Sequence, residues 1–172
     1  MPSPERTVRQ LLWRACVPQW AHAPLSGAGA ARNGGRWNAI GQPCFYAARE
    51  ISTAWAEYNQ GLVQHPATIV RLVLSDARLA DLTDEDVCSR LKVDPTIHLT
   101  EWRAALDEGR VPKTHQIARR LIARGYDGIV YPSFMSRGGS CVGLWRWNSD
   151  GAPRLRAIDP QRRLPKGPAS WQ

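Results

Sequence analysis

The chain has 172 residues, of which 43% are hydrophobic and 22% are charged, a composition typical of a folded globular protein. At this length about two-thirds of the unfolded chain's surface can be buried, so the fold needs neither disulfides nor a metal for stability. No apolar run approaches the ~20 residues of a membrane-spanning helix, and the first ten residues lack the apolar core of a secretory signal. We therefore expect one domain over residues 1–172, in the cytoplasm and without a membrane partner.

The net charge is +8, which favours an anionic partner such as a nucleotide, a nucleic acid or an acidic protein. Half of this excess lies in a basic C-terminal segment, residues 151–172, where Arg and Lys are opposed by Asp159 alone. A solvated basic segment that aids solubility is the alternative interpretation. The basic face of the segment 113–124, formed by Lys113, Arg119, Arg120 and Arg124, has no aromatic side chains interleaved with it, so direct nucleic-acid binding is not expected.

Neither the cysteines nor the histidines form a close pair of the kind that holds structural zinc. These residues are Cys16, Cys44, Cys88 and Cys141, and His22, His65, His98 and His115. We therefore predict no metal and no cofactor, and expect the thiols to be small apolar core residues.

Hydrophobic patterning predicts a strand over residues 10–17, a long Ala-, Gly- and Pro-rich loop over 18–33 and a short strand over 44–47. A helix is predicted over residues 49–62, with its apolar positions at helical spacing. That stripe consists of Ile51, Ala54, Trp55, Tyr58 and Leu62. Glu57 lies about 120° from the stripe, which favours an exposed carboxylate.

The β-branched run over residues 68–74 is the clearest predicted strand of the chain. Short helices are predicted near 84–91 and 98–108, and a longer one over 113–124 that Gly125 terminates. Strands return over residues 128–131, 141–147 and 154–158. This order predicts an α+β fold. Regular β-α-β alternation and the two glycine-rich phosphate-binding motifs are missing, which argues against a doubly wound nucleotide fold.

The run Gly34-Gly35-Arg36-Trp37-Asn38 is the first candidate binding segment. Glycine allows a ligand to approach the backbone closely, and the arginine fork suits a diphosphate or a carboxylate. Trp37 and Asn38 offer a flat face and hydrogen bonds. The alternative is an ordinary glycine turn that leads into a strand.

Three further positions are candidates because of where they lie on strands. Arg14 is embedded in an apolar strand, so it faces either solvent or a cleft that holds an anion. Tyr46 ends a strand, where it could pack in the core or stack on a ligand ring. Ser133 follows the predicted strand 128–131 at a turn, and ligand-binding groups often gather at strand ends, although a serine beside a proline is common in turns.

Taken together, these pieces resemble the RES-domain family, the toxin half of a bacterial toxin–antitoxin system whose antitoxin is an Xre-type helix-turn-helix protein. Arg, Glu and Ser give that family its name. The order and spacing of the matching motifs hold from about residue 11 to residue 171. The matching stretches are Leu12-Trp13-Arg14, Ser26-Gly27, Gly34 to Asn38 with Gly41, Phe45-Tyr46, Ala54 with Ala56-Glu57, Gly125 to Gly128, Tyr131 to Ser133, Arg163 to Pro165, and Ser170-Trp171.

The resemblance implies a fold similar to the ADP-ribosyltransferase toxins, with nicotinamide adenine dinucleotide (NAD) as the substrate in a cleft between two small sheets. Arg14 and Arg36 would bind the dinucleotide, and Tyr46 would pack on the nicotinamide or its ribose. Glu57 would act on the ribose next to the scissile bond, and Ser133 would match the family's serine. The implied partners are the cognate antitoxin and NAD.

The implied reaction is cleavage of the nicotinamide–ribose bond by a toxin. Hydrolysis or phosphorolysis would deplete NAD, whereas transfer would modify a specific host protein, and the sequence does not select the acceptor. A basic, non-catalytic domain that binds nucleic acid or a protein partner is the third alternative.

Overall fold

The computed structural model describes residues 6–7, 9–61 and 63–171. In this part of the chain the strands are β1 Arg6–Thr7, β2 Gln10–Cys16, β3 Phe45–Ala48, β4 Thr68–Ser75, β5 Ala77–Asp81, β6 Gly128–Pro132, β7 Ser140–Leu144 and β8 Arg154–Ala157. The helices are α1 Ala28–Asn33, α2 Ile51–Asn59, α3 Glu85–Leu91, α4 Trp102–Asp107 and α5 Lys113–Ala123. Short 3₁₀ turns occur at Pro18–Trp20, Ile97–Leu99 and Pro168–Trp171.

The strands form one mixed sheet in the order β1-β5-β6-β7-β3-β2-β4-β8. The pairing is antiparallel throughout, except that β5 and β6 run parallel because the helical segment α3–α5 connects them. The predicted α+β class is therefore confirmed. The expected pair of small sheets is a single hydrogen-bonded sheet instead.

The sheet separates two apolar cores, because alternate side chains of each strand point to opposite faces. On β3, Phe45 packs into one core while Tyr46 packs against the other. Helices α2, α3 and α5 cover the face that carries Tyr46. The opposite face is covered largely by irregular segments, which contribute Leu25, Trp147 and Leu164.

The pairing between β2 and β3 is the shortest in the sheet. These strands are paired at one position, Trp13 opposite Ala48, whereas β2 and β4 are paired along their whole length from Gln10 to Cys16. Beyond that single pair the two strands are not paired, so a gap opens between them in the sheet. This opening within the single sheet positions the cleft described below.

Several predicted elements differ from the observed ones. The loop predicted over 18–33 contains α1, and β5 was not predicted at all. The helix predicted over 98–108 is divided into a 3₁₀ turn and α4, and the strand predicted to reach residue 147 ends at Leu144. Part of the basic C-terminal segment is strand β8, and Leu164 packs against the core, so this segment is not simply a solvated tail.

Helix α2 is rotated relative to the predicted stripe. Ile51 is 48% exposed, while Thr53 and Ala54 are the buried residues of the helix. Glu57 lies four residues after Thr53 and three after Ala54, so it shares their face. The helical-wheel expectation of an exposed Glu57 is wrong for this reason. Leu62, the last member of the predicted stripe, lies outside the described residues.

Candidate active site

A cleft of about 880 Å³ opens where β2 and β3 part. Its walls come from both strands, from α2, from the segment 99–103 and from the loop between β6 and β7. Clefts that bind small molecules and cofactors typically measure ~300–1,000 Å³, so this one has room for a large ligand. The candidate residues that line it are Arg14, Gly35, Arg36, Tyr46 and Glu57.

The Glu57 carboxylate is held at the cleft wall by hydrogen bonds to one of its oxygens. Oε1 accepts from the Ser133 hydroxyl at 2.6 Å and lies 3.5 Å from the backbone nitrogen of Met135. The Cys141 thiol lies 3.7 Å from the same oxygen. All of these contacts involve Oε1, and Oε2 accepts no hydrogen bond from the described residues.

Ser133 is buried behind this carboxylate, and its Oγ also accepts a hydrogen bond from the Ser136 nitrogen at 2.9 Å. The hydroxyl therefore donates one hydrogen bond and accepts another within the protein. In this conformation Ser133 supports Glu57 and is not itself on the cleft wall. Burial raises the pKa of the Cys141 thiol, and the Glu57 charge raises it further, so this thiol stays protonated.

Arg14 is half-buried and is one of the residues that line the cleft. Its Nη1 donates to the carbonyls of Pro24 and Ser26, each at 2.9 Å, and its guanidinium lies 4.6 Å from the Phe45 ring centroid. Burial lowers the pKa of this guanidinium. Among the described residues, Nη2 and Nε of Arg14 have no acceptor, so these donors are available to a bound anion.

Arg36 reaches across the mouth of the cleft. Its Nη1 donates to the Thr100 carbonyl at 2.9 Å, and its guanidinium lies 5.5 Å from the centroid of the Phe134 ring. Burial lowers the pKa of Arg36, whereas Tyr131 and the carboxylates of Glu57 and Glu101 raise it. Arg36 therefore lies within electrostatic reach of the carboxylate that Ser133 holds.

Tyr46 contributes its ring to the cleft wall while its hydroxyl is fixed in the protein. The hydroxyl donates to Asn38 Oδ1 at 2.8 Å and accepts from the Trp37 nitrogen at 2.9 Å. Burial raises the pKa of Tyr46 well above its ordinary value. A Cβ at Gly35 would lie 2.6 Å from Asn38 Oδ1 and 2.7 Å from the Tyr46 hydroxyl, so only glycine allows this close packing.

Trp37 and Asn38 were expected to contact the ligand, but both side chains are fully buried. The Asn38 amide donates to three backbone carbonyls, at 2.9, 3.1 and 2.9 Å, and the Trp37 ring packs 5.4 Å from Tyr131 between ring centroids. Their contribution is to shape the turn that presents Gly35 and Arg36. Of the run from Gly34 to Asn38, only its first three residues line the cleft.

Two features of the site were missed by the sequence reasoning. His115, at the start of α5, is buried, and its Nε2 lies 2.7 Å from the Gly35 carbonyl, which ties α5 to the glycine turn. Leu99 and Phe134, each 52% exposed, also line the cleft. A lone histidine and two isolated hydrophobic residues carry no sequence signal, because their importance depends on distant partners.

Within the described residues, no three His, Cys, Asp or Glu side chains are grouped so that they could hold a metal ion. In the same part of the chain, no helix has the length and apolar character needed to cross a membrane.

The fold and the cleft define a mixed α+β protein whose cleft is lined by two carboxylates and three arginines, which are Glu57, Glu101, Arg14, Arg36 and Arg103. The family model described as RES domain matches residues 11–167. This span covers most of the chain, so the chain belongs to the RES domain family and the resemblance found in the sequence is confirmed.

The structure is also similar to a chain in the crystal structure of the M. tuberculosis MbcT–MbcA toxin–antitoxin complex. The similarity covers 97% of this chain and 90% of that chain, with 19% sequence identity and a TM-score of 0.55. At this identity the likeness shows a shared fold. No curated protein matches the chain significantly.

Proposed function

We propose that this protein is the toxin of a toxin–antitoxin pair and that it cleaves the nicotinamide–ribose bond of NAD. The observation that carries the proposal is the placement of Glu57. Its carboxylate is held by Ser133 on the wall of a cleft that also presents the guanidinium groups of Arg14 and Arg36. This arrangement matches a substrate with a cationic reacting end and a diphosphate.

The proposed reaction breaks the bond between the ribose C1′ and the nicotinamide nitrogen. The electron pair of that bond stays with nicotinamide, which leaves as a neutral molecule, so no acid has to protonate it. The ribose becomes oxocarbenium-like, and the Glu57 carboxylate stabilises this charge, as carboxylates do in glycosidases. A lone pair of the acceptor then forms the new bond at C1′, and an acceptor that carries a proton, such as water, releases it to the solvent.

The remaining candidate residues position the substrate. Arg14 and Arg36 would bind the diphosphate through guanidinium nitrogens other than Nη1, which each arginine already uses for backbone carbonyls, and would hold the reacting end near Glu57 without bond chemistry. The Tyr46 ring would pack against the nicotinamide or its ribose. Ser133 would keep the carboxylate in place. The membership of the RES domain family supports a relation to the ADP-ribosyltransferase toxins.

The proposed activity is tested by incubating the purified protein with NAD and measuring free nicotinamide. Three parallel reactions, in buffer, with inorganic phosphate and with a cell lysate, use NAD labelled on its ADP-ribose. Free ADP-ribose would identify water as the acceptor, a phosphorylated product would identify phosphate, and label on a protein would identify a transferase. If no nicotinamide appears in any of the three, the proposal is wrong.

We further propose that an Xre-type helix-turn-helix antitoxin binds over the cleft mouth. The toxin–antitoxin complex that contains the similar fold supports such a partner. The exposed side chains of Leu99, Phe134 and Met135 line the same cleft as Arg36, and the Phe134 ring lies 5.5 Å from its guanidinium. Apolar side chains next to a cation suit a partner segment that combines apolar and acidic residues.

Expression of the protein alone is expected to stop growth, and co-expression of the cognate helix-turn-helix protein is expected to restore it. Inhibition should be competitive with NAD and should weaken as salt rises, since exposed charge contacts are screened over about 10 Å at 0.1 M. Titration of the partner against nicotinamide release measures both effects. Harmless expression of an active enzyme would contradict the toxin role, and inhibition independent of NAD concentration would contradict a blocked cleft.

A further inference from the structure

The loop between β6 and β7 is fastened to the Glu57 carboxylate on both sides of Phe134. The residue before it, Ser133, donates to Glu57 Oε1 at 2.6 Å, and the backbone nitrogen of the residue after it, Met135, lies 3.5 Å from the same oxygen. The loop also closes on itself, because the Ser133 nitrogen donates to the Gly139 carbonyl at 2.9 Å. The backbone of Phe134 is therefore fixed relative to the carboxylate.

The Phe134 ring is 52% exposed although it lines the cleft. A large aromatic side chain that stays exposed on a firmly held backbone is available to contact a ligand. Its ring already has a cation near it, since the Arg36 guanidinium lies 5.5 Å from its centroid. A cation at this distance is attracted by the negative face of an aromatic ring.

We propose that Phe134 is a specificity-determining residue that binds the cationic nicotinamide ring of oxidised NAD and so favours NAD over its reduced form, NADH. This inference rests on the proposed function, because that function places the nicotinamide end beside Glu57. Phe134 lies between the two residues that contact this carboxylate, so the proposal sets its ring beside the nicotinamide end of the substrate.

Binding of NAD exchanges one cation for another at this ring. The diphosphate attracts Arg36 away from Phe134, and the nicotinamide cation takes the vacated face. After the bond breaks, nicotinamide is neutral and loses this attraction, which favours its release. NADH carries the same diphosphate and the same riboses, but its dihydronicotinamide ring is neutral, so it gains nothing from the exchange.

The test compares the dissociation constants of NAD and NADH for Glu57→Gln, in which turnover is expected to be at least about 100-fold slower, and for the same protein with Phe134→Leu added. Leucine keeps an apolar side chain but has no aromatic face. We expect the preference for NAD to fall roughly 2- to 30-fold in the leucine variant, the range of cation–π energies. Phe134→Trp should restore it. Leu99→Ala removes another exposed apolar group of the cleft lining, one without an aromatic face, and should leave the ratio unchanged.

The same ratio is measured with Glu57 intact as the KM for NAD against the inhibition constant for NADH. If Phe134→Leu leaves the preference for NAD over NADH unchanged, or if Leu99→Ala changes it equally, the role of Phe134 is wrong. Neither outcome would contradict the proposed cleavage of NAD. If the wild-type protein releases no nicotinamide and binds neither nucleotide, the proposed function fails and this inference fails with it.

Discussion

Replacement of Glu57 by Gln is expected to lower the rate of nicotinamide release about 100-fold or more while the fold is retained. Glutamine has nearly the same shape, and its amide oxygen can still accept the hydrogen bond from the Ser133 hydroxyl. It carries no negative charge, so it cannot stabilise the positive charge that develops on the ribose as nicotinamide leaves. The rate constant kcat at saturating NAD measures this loss.

The control for this variant is Glu101→Gln, which removes a carboxylate from an exposed position on the same cleft. Because Glu101 lies at the solvent-screened mouth, its loss should change kcat far less. Thermal unfolding of both variants shows whether the fold is intact. Turnover of Glu57→Gln at the wild-type rate would show that the mechanism is wrong.

Alanine at Arg14 or at Arg36 is expected to weaken NAD binding by about 2–4 kcal/mol for each substitution. Both side chains are partly buried, so the contacts they would make with a diphosphate are poorly screened by water. Lysine should rescue either position only in part, since its ammonium cannot reproduce the two parallel hydrogen bonds of a guanidinium. Calorimetry with NAD, carried out on Glu57→Gln to slow turnover, measures the change.

Both arginines also hold backbone carbonyls, at Pro24 and Ser26 for Arg14 and at Thr100 for Arg36. The free energy of unfolding must therefore be measured beside the affinity, so that a local loss of structure is recognised. Arg32→Ala is the matched control, because Arg32 is an exposed arginine of α1 outside the cleft. Unchanged affinity in both alanine variants would show that the binding site lies elsewhere.

The local sequence was sufficient to predict those elements whose signal lies within the element and its flanking residues. Strand β4 was predicted almost to its ends, because its β-branched run has turn-forming residues on both sides. Helix α5 was predicted because its apolar spacing ends at Gly125, which has a positive φ of 81°. Strand β5, with the sequence ARLAD, was missed because only its pairing with β1 and β6 makes it a strand.

Motif order in the sequence identified the family and selected Arg14, Arg36, Tyr46 and Glu57, which all line one cleft. The same motif gave no indication of which neighbours of Arg36 face inward. Trp37 and Asn38 are adjacent to it in sequence, yet they lie in the core and support the turn. The sequence of a five-residue motif cannot distinguish a residue that contacts a ligand from one that supports the turn, because both kinds of residue occupy fixed positions in the motif.

The sequence by itself determined the residue types, the glycine turn and the strong strands and helices, since these depend on neighbours a few positions away. Only the tertiary structure decided which side chains meet. Glu57 faces the cleft because α2 packs through Thr53 and Ala54, and Ser133 reaches Glu57 across 76 positions of sequence. The cleft itself exists because β2 and β3 are paired at a single position. Such contacts depend on long-range packing, which no local pattern encodes.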